Sequence, residues 1–242
     1  MFRIPQDKIS EVKELIYFLL KRNKFPVKQL ARIVGKISSF ARSVGPVARL
    51  MTRSCHRVIA AAPTWSSYVT LSDSAIFELD WWAGQIDAVN GFTMMPSCTV
   101  DPLVYSTHMV GDASAKGMFL GILTSQRRTL VSQPFTLEES LESSTARELR
   151  VFYTFYMESN LSEWRNSSIL HYTDSRAAES IITFGSKNPV LQSMVRQIYL
   201  KAQSWGITLA ASWKRRSEYE MMEADRGSRG PWYPSQGRIR CI

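Results

Sequence analysis

Val104-Tyr105-Ser106-Thr107-His108-Met109-Val110-Gly111-Asp112 is followed, after a short polar break, by Gly117-Met118-Phe119-Leu120-Gly121-Ile122-Leu123-Thr124. A third run, Arg128-Thr129-Leu130-Val131-Ser132-Gln133-Pro134, comes three residues later. Each run has strand length, and the gaps between them are Ala113-Ser114-Ala115-Lys116 and Ser125-Gln126-Arg127. The spacing predicts three consecutive strands over 104–112, 117–124 and 128–134, with Ser125-Gln126-Arg127 as a hairpin turn.

Beyond them the pattern alternates. Leu149, Phe152, Tyr153, Tyr156 and Met157 give an apolar face to a helix over 144–159. A short strand is expected over 168–173, then helices over 175–184 and 189–205, separated by Gly185-Ser186-Lys187-Asn188. A fifth strand over 207–213 and a last helix over 217–228 complete the series. Three successive strands followed by alternating helix and strand define a mixed α/β sheet.

The first ninety residues read differently. Ile9, Val12, Leu15, Ile16 and Leu19 form a helical stripe within 5–22, broken by Asn23-Lys24-Phe25-Pro26. Val27, Leu30, Ala31, Val34 and Ile37 continue it in a second helix that ends near Gly45-Pro46. A third helix is expected over 47–62, stopped by Pro63. A fourth, with Ser72 or Ser74 as N-cap, carries Ile76, Leu79, Trp82 and Ile86 toward Asn90-Gly91. The predicted organisation is a basic helical module over 1–90, a linker over 91–102, an α/β domain over 103–229 and a tail over 230–242 that is not expected to pack. Trp65, Tyr68 and Trp205 are expected to pack, as is at least one ring of Trp81-Trp82.

Composition narrows the function. The chain has 242 residues, 45% hydrophobic and 11% aromatic, enough for a packed core. No apolar run is long enough to span a bilayer, and the N-terminus has no stretch of signal-peptide type. Cys55, Cys98 and Cys241 fit no zinc spacing and read as reduced thiols, so an intracellular protein is expected, nuclear or cytoplasmic alike. The net charge of +9 is concentrated at the start, where residues 1–60 hold 13 Lys and Arg against 3 Asp and Glu. That imbalance suits a polyanionic partner such as nucleic acid, though a solvated helical surface would account for it equally well.

Four carboxylates stand out in the second half. Asp112 closes the first strand, Glu148 lies in Ser143-Ser144-Thr145-Ala146-Arg147-Glu148-Leu149, Asp174 ends the strand His171-Tyr172-Thr173, and Asp225 lies in Ala224-Asp225-Arg226-Gly227-Ser228-Arg229. A fold that gathers four carboxylates must offset their repulsion, and divalent cations do so. Such a centre acts on phosphate esters. Each residue also has a local alternative. Asp174 could cap the following helix, and Thr145-x-x-Glu148 could be a capping box. Asp112 could serve a turn before Gly117, and Asp225 could be an exposed helical acid. His108 and His171 read as partly buried strand residues, since Mg²⁺ rarely takes imidazole.

Taken in order, Asp112-Ala113-Ser114 with Gly117, Glu142-Ser143-Ser144-Thr145-Ala146-Arg147-Glu148-Leu149, Tyr172-Thr173-Asp174-Ser175, Gly185-Ser186-Lys187-Asn188-Pro189 and Ala224-Asp225-Arg226-Gly227-Ser228-Arg229 resemble the type 1 RNase H domain. More narrowly, they resemble the RNase H of DIRS-type retrotransposons. The first half resembles the helical thumb-to-connection stretch of such reverse transcriptases, through Ile33-Val34-Gly35-Lys36, Gly45-Pro46-Val47-Ala48-Arg49-Leu50 and Leu79-Asp80-Trp81-Trp82. No Tyr-x-Asp-Asp is present, so the chain looks like a fragment or host-retained remnant of a retroelement protein.

The resemblance implies an RNase H-like five-stranded mixed sheet with flanking helices, preceded by an all-helical thumb/connection-like module. It implies cleavage of the RNA strand of RNA–DNA hybrids by Asp112, Glu148, Asp174 and Asp225. Two Mg²⁺ ions, with Mn²⁺ as substitute, would bind there, and Asp112 would touch both. Ser114, Lys116, Ser144, Thr145 and Ser175 would contact the nucleic acid. Lys214, Arg215 and Arg216, or the basic helices of 1–60, would supply a grip. A polymerase palm acting in trans is a further implied partner, and no membrane is. The segment Lys214-Arg215-Arg216-Ser217-Glu218-Tyr219-Glu220-Met221-Met222-Glu223 departs from the family: an Asn usual before the last Asp is missing, and no His stands there. Glu220 or Glu223 could therefore replace Asp225. The alternative function is a catalytically dead nucleic-acid-binding remnant of the same fold, and after that an integrase- or resolvase-type nuclease.

Overall fold

The computed structural model describes residues 2–91, 102, 105–125 and 128–230. Those residues fall into two compact units. One holds the residues up to 91 together with 184–187, and the other holds the rest. Val104, the turn residues Gln126 and Arg127, most of the expected linker, the tail beyond 230, Cys98 and Cys241 lie outside the described residues.

The first unit is built of α1 (Gln6–Leu20), α2 (Val27–Ser39), the short α3 (Ala41–Val44) and α4 (Val47–Leu50), α5 (Arg53–Ala60) and α6 (Asp73–Val89). Ile9, Val12, Ile16 and Leu19 of α1 are buried, as are Leu30, Ile33, Val34 and Ile37 of α2 and Leu79, Trp82 and Ile86 of α6. α1 packs on both α2 and α6. Each fully buried side chain of this kind contributes about 1.5–3 kcal/mol before conformational entropy is counted. The unit is helical apart from a two-residue antiparallel pairing of β1 (Phe25–Pro26) with β2 (Tyr68–Val69).

Two helices expected as single pieces are each divided. The Phe40 N–H bonds to the Ile37 carbonyl, an i→i+3 contact that tightens the end of α2. The stretch 47–62 breaks at Met51 and Thr52. There the Thr52 hydroxyl bonds back to the Ala48 carbonyl, and Glu78 of α6 accepts the Ser54 and Cys55 backbone N–H groups. A carboxylate 24 residues away thus opens α5 where continuous periodicity would have carried the helix on. Ser72 caps α6, as expected. Trp82 is buried and its Nε1 donates to the Met51 carbonyl, which settles that ring as core. Trp65 and Tyr68 do not pack as expected. They are 61% and 70% exposed, Tyr68 in the two-residue β2 and Trp65 three residues before it.

The second unit is a five-stranded mixed sheet of order β5-β4-β3-β6-β7. Its strands are β3 (Thr107–Ala113), β4 (Gly117–Thr124), β5 (Arg128–Pro134), β6 (Ser168–Thr173) and β7 (Thr208–Trp213). β3, β4 and β5 pair antiparallel, while β6 and β7 run parallel to β3. The helices are α7 (Leu137–Ser140), α8 (Ser144–Glu158), α9 (Arg176–Phe184), α10 (Pro189–Ser204) and α11 (Tyr219–Arg229), with a 3-10 turn at Leu161–Trp164. The five strands and four of these helices match the sequence reading to within a few residues. α7 was not foreseen. It is one turn held by a capping box in which Thr136 and Glu139 satisfy each other's backbone N–H groups.

Two glycines set how closely helices approach the central strands. A Cβ at Gly111 would stand 2.8 Å from the Phe152 ring of α8. A Cβ at Gly227 would stand 2.1 Å from the Phe119 ring of β4. Successive strand residues face opposite sides, so Gly111 faces α8, while Asp112 and its cross-strand partner Phe119 face α11. The sheet is therefore clasped on both sides at Asp112.

Candidate metal centre

Asp112 lies near the end of β3, the central strand, and is 1% exposed. Asp174 follows the last residue of the neighbouring parallel strand β6. Glu148 sits in the second turn of α8, 9% exposed. One carboxylate oxygen from each of these three lies within 4.8 Å of the others.

The local alternatives do not account for them. α8 is capped by Ser143, whose hydroxyl accepts the Ala146 N–H at 3.2 Å, so Thr145 and Glu148 form no capping box. Ser175, not Asp174, accepts the Ala178 N–H at the start of α9. Asp112 is a strand residue paired with Phe119 rather than a turn residue.

Hydrogen bonding leaves the cluster incomplete. Asp112 Oδ2 accepts the Ser228 hydroxyl at 2.5 Å. Asp112 Oδ1 and Glu148 Oε2 are both buried, with no hydrogen-bond partner among the described residues. A buried carboxylate oxygen without a donor costs free energy unless it is protonated or bound to a cation. Burial raises the Asp112 pKa, the Ser228 bond opposes that, and the charges of Asp174 and Asp225 raise it further. Burial pushes Glu148 up to about 9, with Asp112 and then Asp174 adding to it. Without a cation Glu148 therefore holds a proton at neutral pH. Hard carboxylate oxygens and no sulfur or imidazole make a donor set that fits Mg²⁺ or Mn²⁺.

Asp225, the fourth expected member, stands beside this group rather than within it. Arg229 grips it twice, Nε to Oδ2 at 3.0 Å and a terminal nitrogen to Oδ1 at 2.8 Å. Arg216 donates to the same Oδ1 at 2.7 Å. These partners, Arg229 first, hold the Asp225 carboxyl below its usual range. Glu220 pairs with Lys214 and Glu223 with Arg128, and neither belongs to the acidic group of three.

The helix that carries Asp225 is pinned to the sheet by serines. Ser132 of β5 donates to the Gly227 carbonyl at 2.8 Å, and Ser114 donates to the Ser228 carbonyl at 2.5 Å. Both bonds satisfy carbonyls of the last helical turn, which lack partners within the helix. Ser114, expected at the nucleic acid, is thus engaged in anchoring α11 and in the turn before Gly117. Ser228 is the residue the sequence reading missed. Its signal was its place three residues beyond Asp225, on the same helical face.

The remaining expected contacts divide clearly. Lys116 and Arg215 are exposed. Ser144 and Thr145 lie in the first turn of α8, and Ser175 caps α9. Lys214 lies 4.1 Å from the Tyr172 ring centroid and is paired with Glu218 and Glu220. His171 is buried, bonded to the Tyr156 hydroxyl at 3.0 Å and driven by burial to a pKa of about 3. His108 stacks on Tyr172. Neither histidine belongs to the acidic group.

No protein-family model and no curated protein matches this chain. Among solved structures, it is similar to foamy viral protease-reverse transcriptase in complex with double-stranded DNA, at 14% identity over 84% of this chain, with a TM-score of 0.34. It is similar to the same viral protein in complex with RNA/DNA hybrid, at 12% identity over 96% of this chain, with a TM-score of 0.35. It spans 34% and 30% of those two viral chains. Half of it is also similar to the N-terminal RNase H domain of a Mycobacterium tuberculosis protein, with 14% identity, 95% of that chain covered and a TM-score of 0.39. The figures for RNase H1 from the halophilic archaeon Halobacterium salinarum are 10%, 92% and 0.36, again over half of this chain. The second unit is a five-stranded mixed sheet of order β5-β4-β3-β6-β7 with flanking helices, and a helical module precedes it in the chain.

Proposed function

We propose that this chain is a metal-dependent endonuclease of RNase H type that hydrolyses the RNA strand of RNA–DNA hybrids. One observation carries the reading. Asp112, Glu148 and Asp174 come from three separate elements to within 4.8 Å, and two of their buried oxygens are left without donors. A divalent cation held there would activate a water and stabilise the leaving oxygen of a phosphodiester. The chain's own contribution is placement. Asp112 is fixed by Ser228, Glu148 is supported by the Ala113 backbone, and Asp174 is held at the strand end. Lys116, Arg215 and the basic surface of residues 1–60 would track phosphates, while discrimination of RNA would rest on 2′-hydroxyl contacts.

The motif order further supports a retroelement origin of DIRS type, with residues 1–90 as a thumb/connection-like module, 91–102 as linker and 103–229 as the nuclease domain. In that reading a polymerase palm acts in trans. The hold of two arginines on Asp225 favours one competing reading, a nucleic-acid-binding remnant that keeps the fold without the chemistry.

Cleavage of a labelled RNA–DNA hybrid with Mg²⁺ or Mn²⁺ separates the two. The test runs beside double-stranded RNA, double-stranded DNA and the Asp112→Asn protein. RNA-strand cutting that disappears in Asp112→Asn is the expected result. Tight, salt-sensitive binding with no cutting in either protein overturns the enzyme in favour of the remnant.

A further inference from the structure

Asp174 and Ser175 alone join the end of β6 to α9, so the place of the Asp174 carboxylate is set by the backbone of a very short link. Trp213, the last residue of β7, ties that link down. Its indole Nε1 donates to the Asp174 carbonyl at 3.0 Å. Its backbone N–H donates to Glu179 Oε1 of α9 at 3.1 Å. Trp213 stands opposite Thr173 in the parallel pairing, and the next residue, Lys214, donates its N–H to the Thr173 carbonyl at 3.0 Å. The end of β7 therefore holds the residue before Asp174, Asp174 itself and the helix after it. The indole is half-buried, and the Arg176 guanidinium carbon lies 3.8 Å from its ring centroid, a stacking that favours one ring orientation. The Asp174 carboxylate also meets Arg216, Nε to Oδ2 at 3.3 Å, but the Arg216 side chain is 60% exposed and a solvated pair fixes little.

We propose that Trp213 is a positioning residue of the metal centre, whose indole N–H fixes the Asp174 backbone and so keeps the Asp174 carboxylate within reach of Asp112 and Glu148. This rests on the metal-centre reading above. A ligand held through its supporting bonds binds metal better than one left to find its place, and those bonds are part of the site. The helical unit contains the matching structural case. Trp82 Nε1 donates to the Met51 carbonyl at 2.8 Å, and both side chains are core. The two indole bonds are alike in chemistry and differ in the residue whose carbonyl accepts: Met51 fills a core, while Asp174 brings a carboxylate to the acidic group.

The test is Mn²⁺ binding to the full chain, followed by the electron paramagnetic resonance of free and bound Mn²⁺, beside thermal melts in chelator. In one protein Trp213→Phe removes the donor. In a second the Trp213 indole is exchanged for benzothiophene, which keeps the bicyclic ring and lacks only the N–H, so the test does not depend on how well Trp213→Phe folds. Both are expected to bind Mn²⁺ roughly tenfold more weakly, with an altered spectrum of the bound ion. Trp82→Phe is expected to lower the melting temperature and to leave Mn²⁺ affinity and spectrum as they are. In an Asp174→Asn background Trp213→Phe is expected to cost less than about twofold more, because its effect runs through Asp174. Affinity within about twofold of the unaltered chain in the benzothiophene protein overturns the proposal, as does an unchanged spectrum in both Trp213 proteins, or a loss that persists in full with Asp174→Asn. If Asp112→Asn binds Mn²⁺ as the unaltered chain does, the metal-centre reading itself fails. If Asp112→Asn loses the ion and the Trp213 proteins keep it, the centre stands and the role of Trp213 falls.

Discussion

Glu78 in the helical unit and Glu148 in the sheet unit are both carried by long helices, both buried, and both raised in pKa by that burial. They differ in what surrounds the carboxylate. Both Glu78 oxygens accept the Ser54 N–H at 2.9 Å, and one also accepts the Cys55 N–H at 3.0 Å. These donors belong to the first turn of α5, where helical N–H groups lack partners and negative charge is favoured. Glu148 instead has an oxygen without a donor and two acidic neighbours whose charges add to the cost of its burial. Burial alone thus does not separate a structural carboxylate from a functional one. The number of donors left over does: Glu78 is satisfied by the fold, and Glu148 is satisfied only by a proton or a cation.

Substituting each side in turn sharpens that contrast. The largest effect is expected at the cluster, where Asp112→Asn should lower hybrid cleavage on the order of a thousandfold or more. The same change should raise the melting temperature in chelator, because it removes one of several crowded like charges. A lower melting temperature there would mean that Asp112 is a structural acid like Glu78. On the helical side, Glu78→Ala should destabilise the protein by about 1–3 kcal/mol, since it strands buried N–H groups. Thermal melts would show this, and Mn²⁺ binding by the same variant should be unchanged.

Cation dependence is the next discriminator. Mg²⁺ or Mn²⁺ at a hundredfold excess over its dissociation constant should stabilise the chain by about 2.7 kcal/mol. Glu78→Gln should retain that increment and Glu148→Gln should lose it, as melting curves with and without cation would reveal.

Stability against pH gives a subtler signature. The Glu148 pKa is raised in the folded state from 4.5 to about 9. Between those values the folded protein holds a proton that the unfolded chain has released. The stability contributed by protonated Glu148 is therefore complete below the unfolded value and is lost as pH rises toward about 9. Melting temperatures in chelator should fall across that window, and Glu148→Gln should flatten the fall. The smallest effect is expected at the surface, where Arg215→Glu should reduce the salt dependence of hybrid binding by about one phosphate contact. An unchanged slope would remove Arg215 from the interface.

Much of this was legible along the chain because it is local. β4 and β5 begin and end at the bounds expected from the sequence, and α10 begins at Asn188-Pro189, whose amide caps the helix while proline opens it. The types and order of Asp112, Glu148 and Asp174 likewise followed from a strand end, a helix and a neighbouring strand end. The break of α4 from α5 was not legible, since Glu78 and Ser54 meet only once α6 has packed. Nor was the exposure of Trp65 and Tyr68, since large aromatic residues pack as a rule and only the fold decides which stay outside.

By itself, then, the sequence determined the elements, their order and which carboxylates are available, because periodicity and capping act within a few residues. Tertiary structure decided the rest: that three acids converge while Asp225 goes to Arg229 and Arg216, that Ser228 anchors Asp112, and that two glycines admit helices to both faces of β3 and β4. Those outcomes turn on distances between residues far apart in the chain, and the burial that packing imposes is what makes an unpaired carboxylate oxygen costly enough to call for a cation.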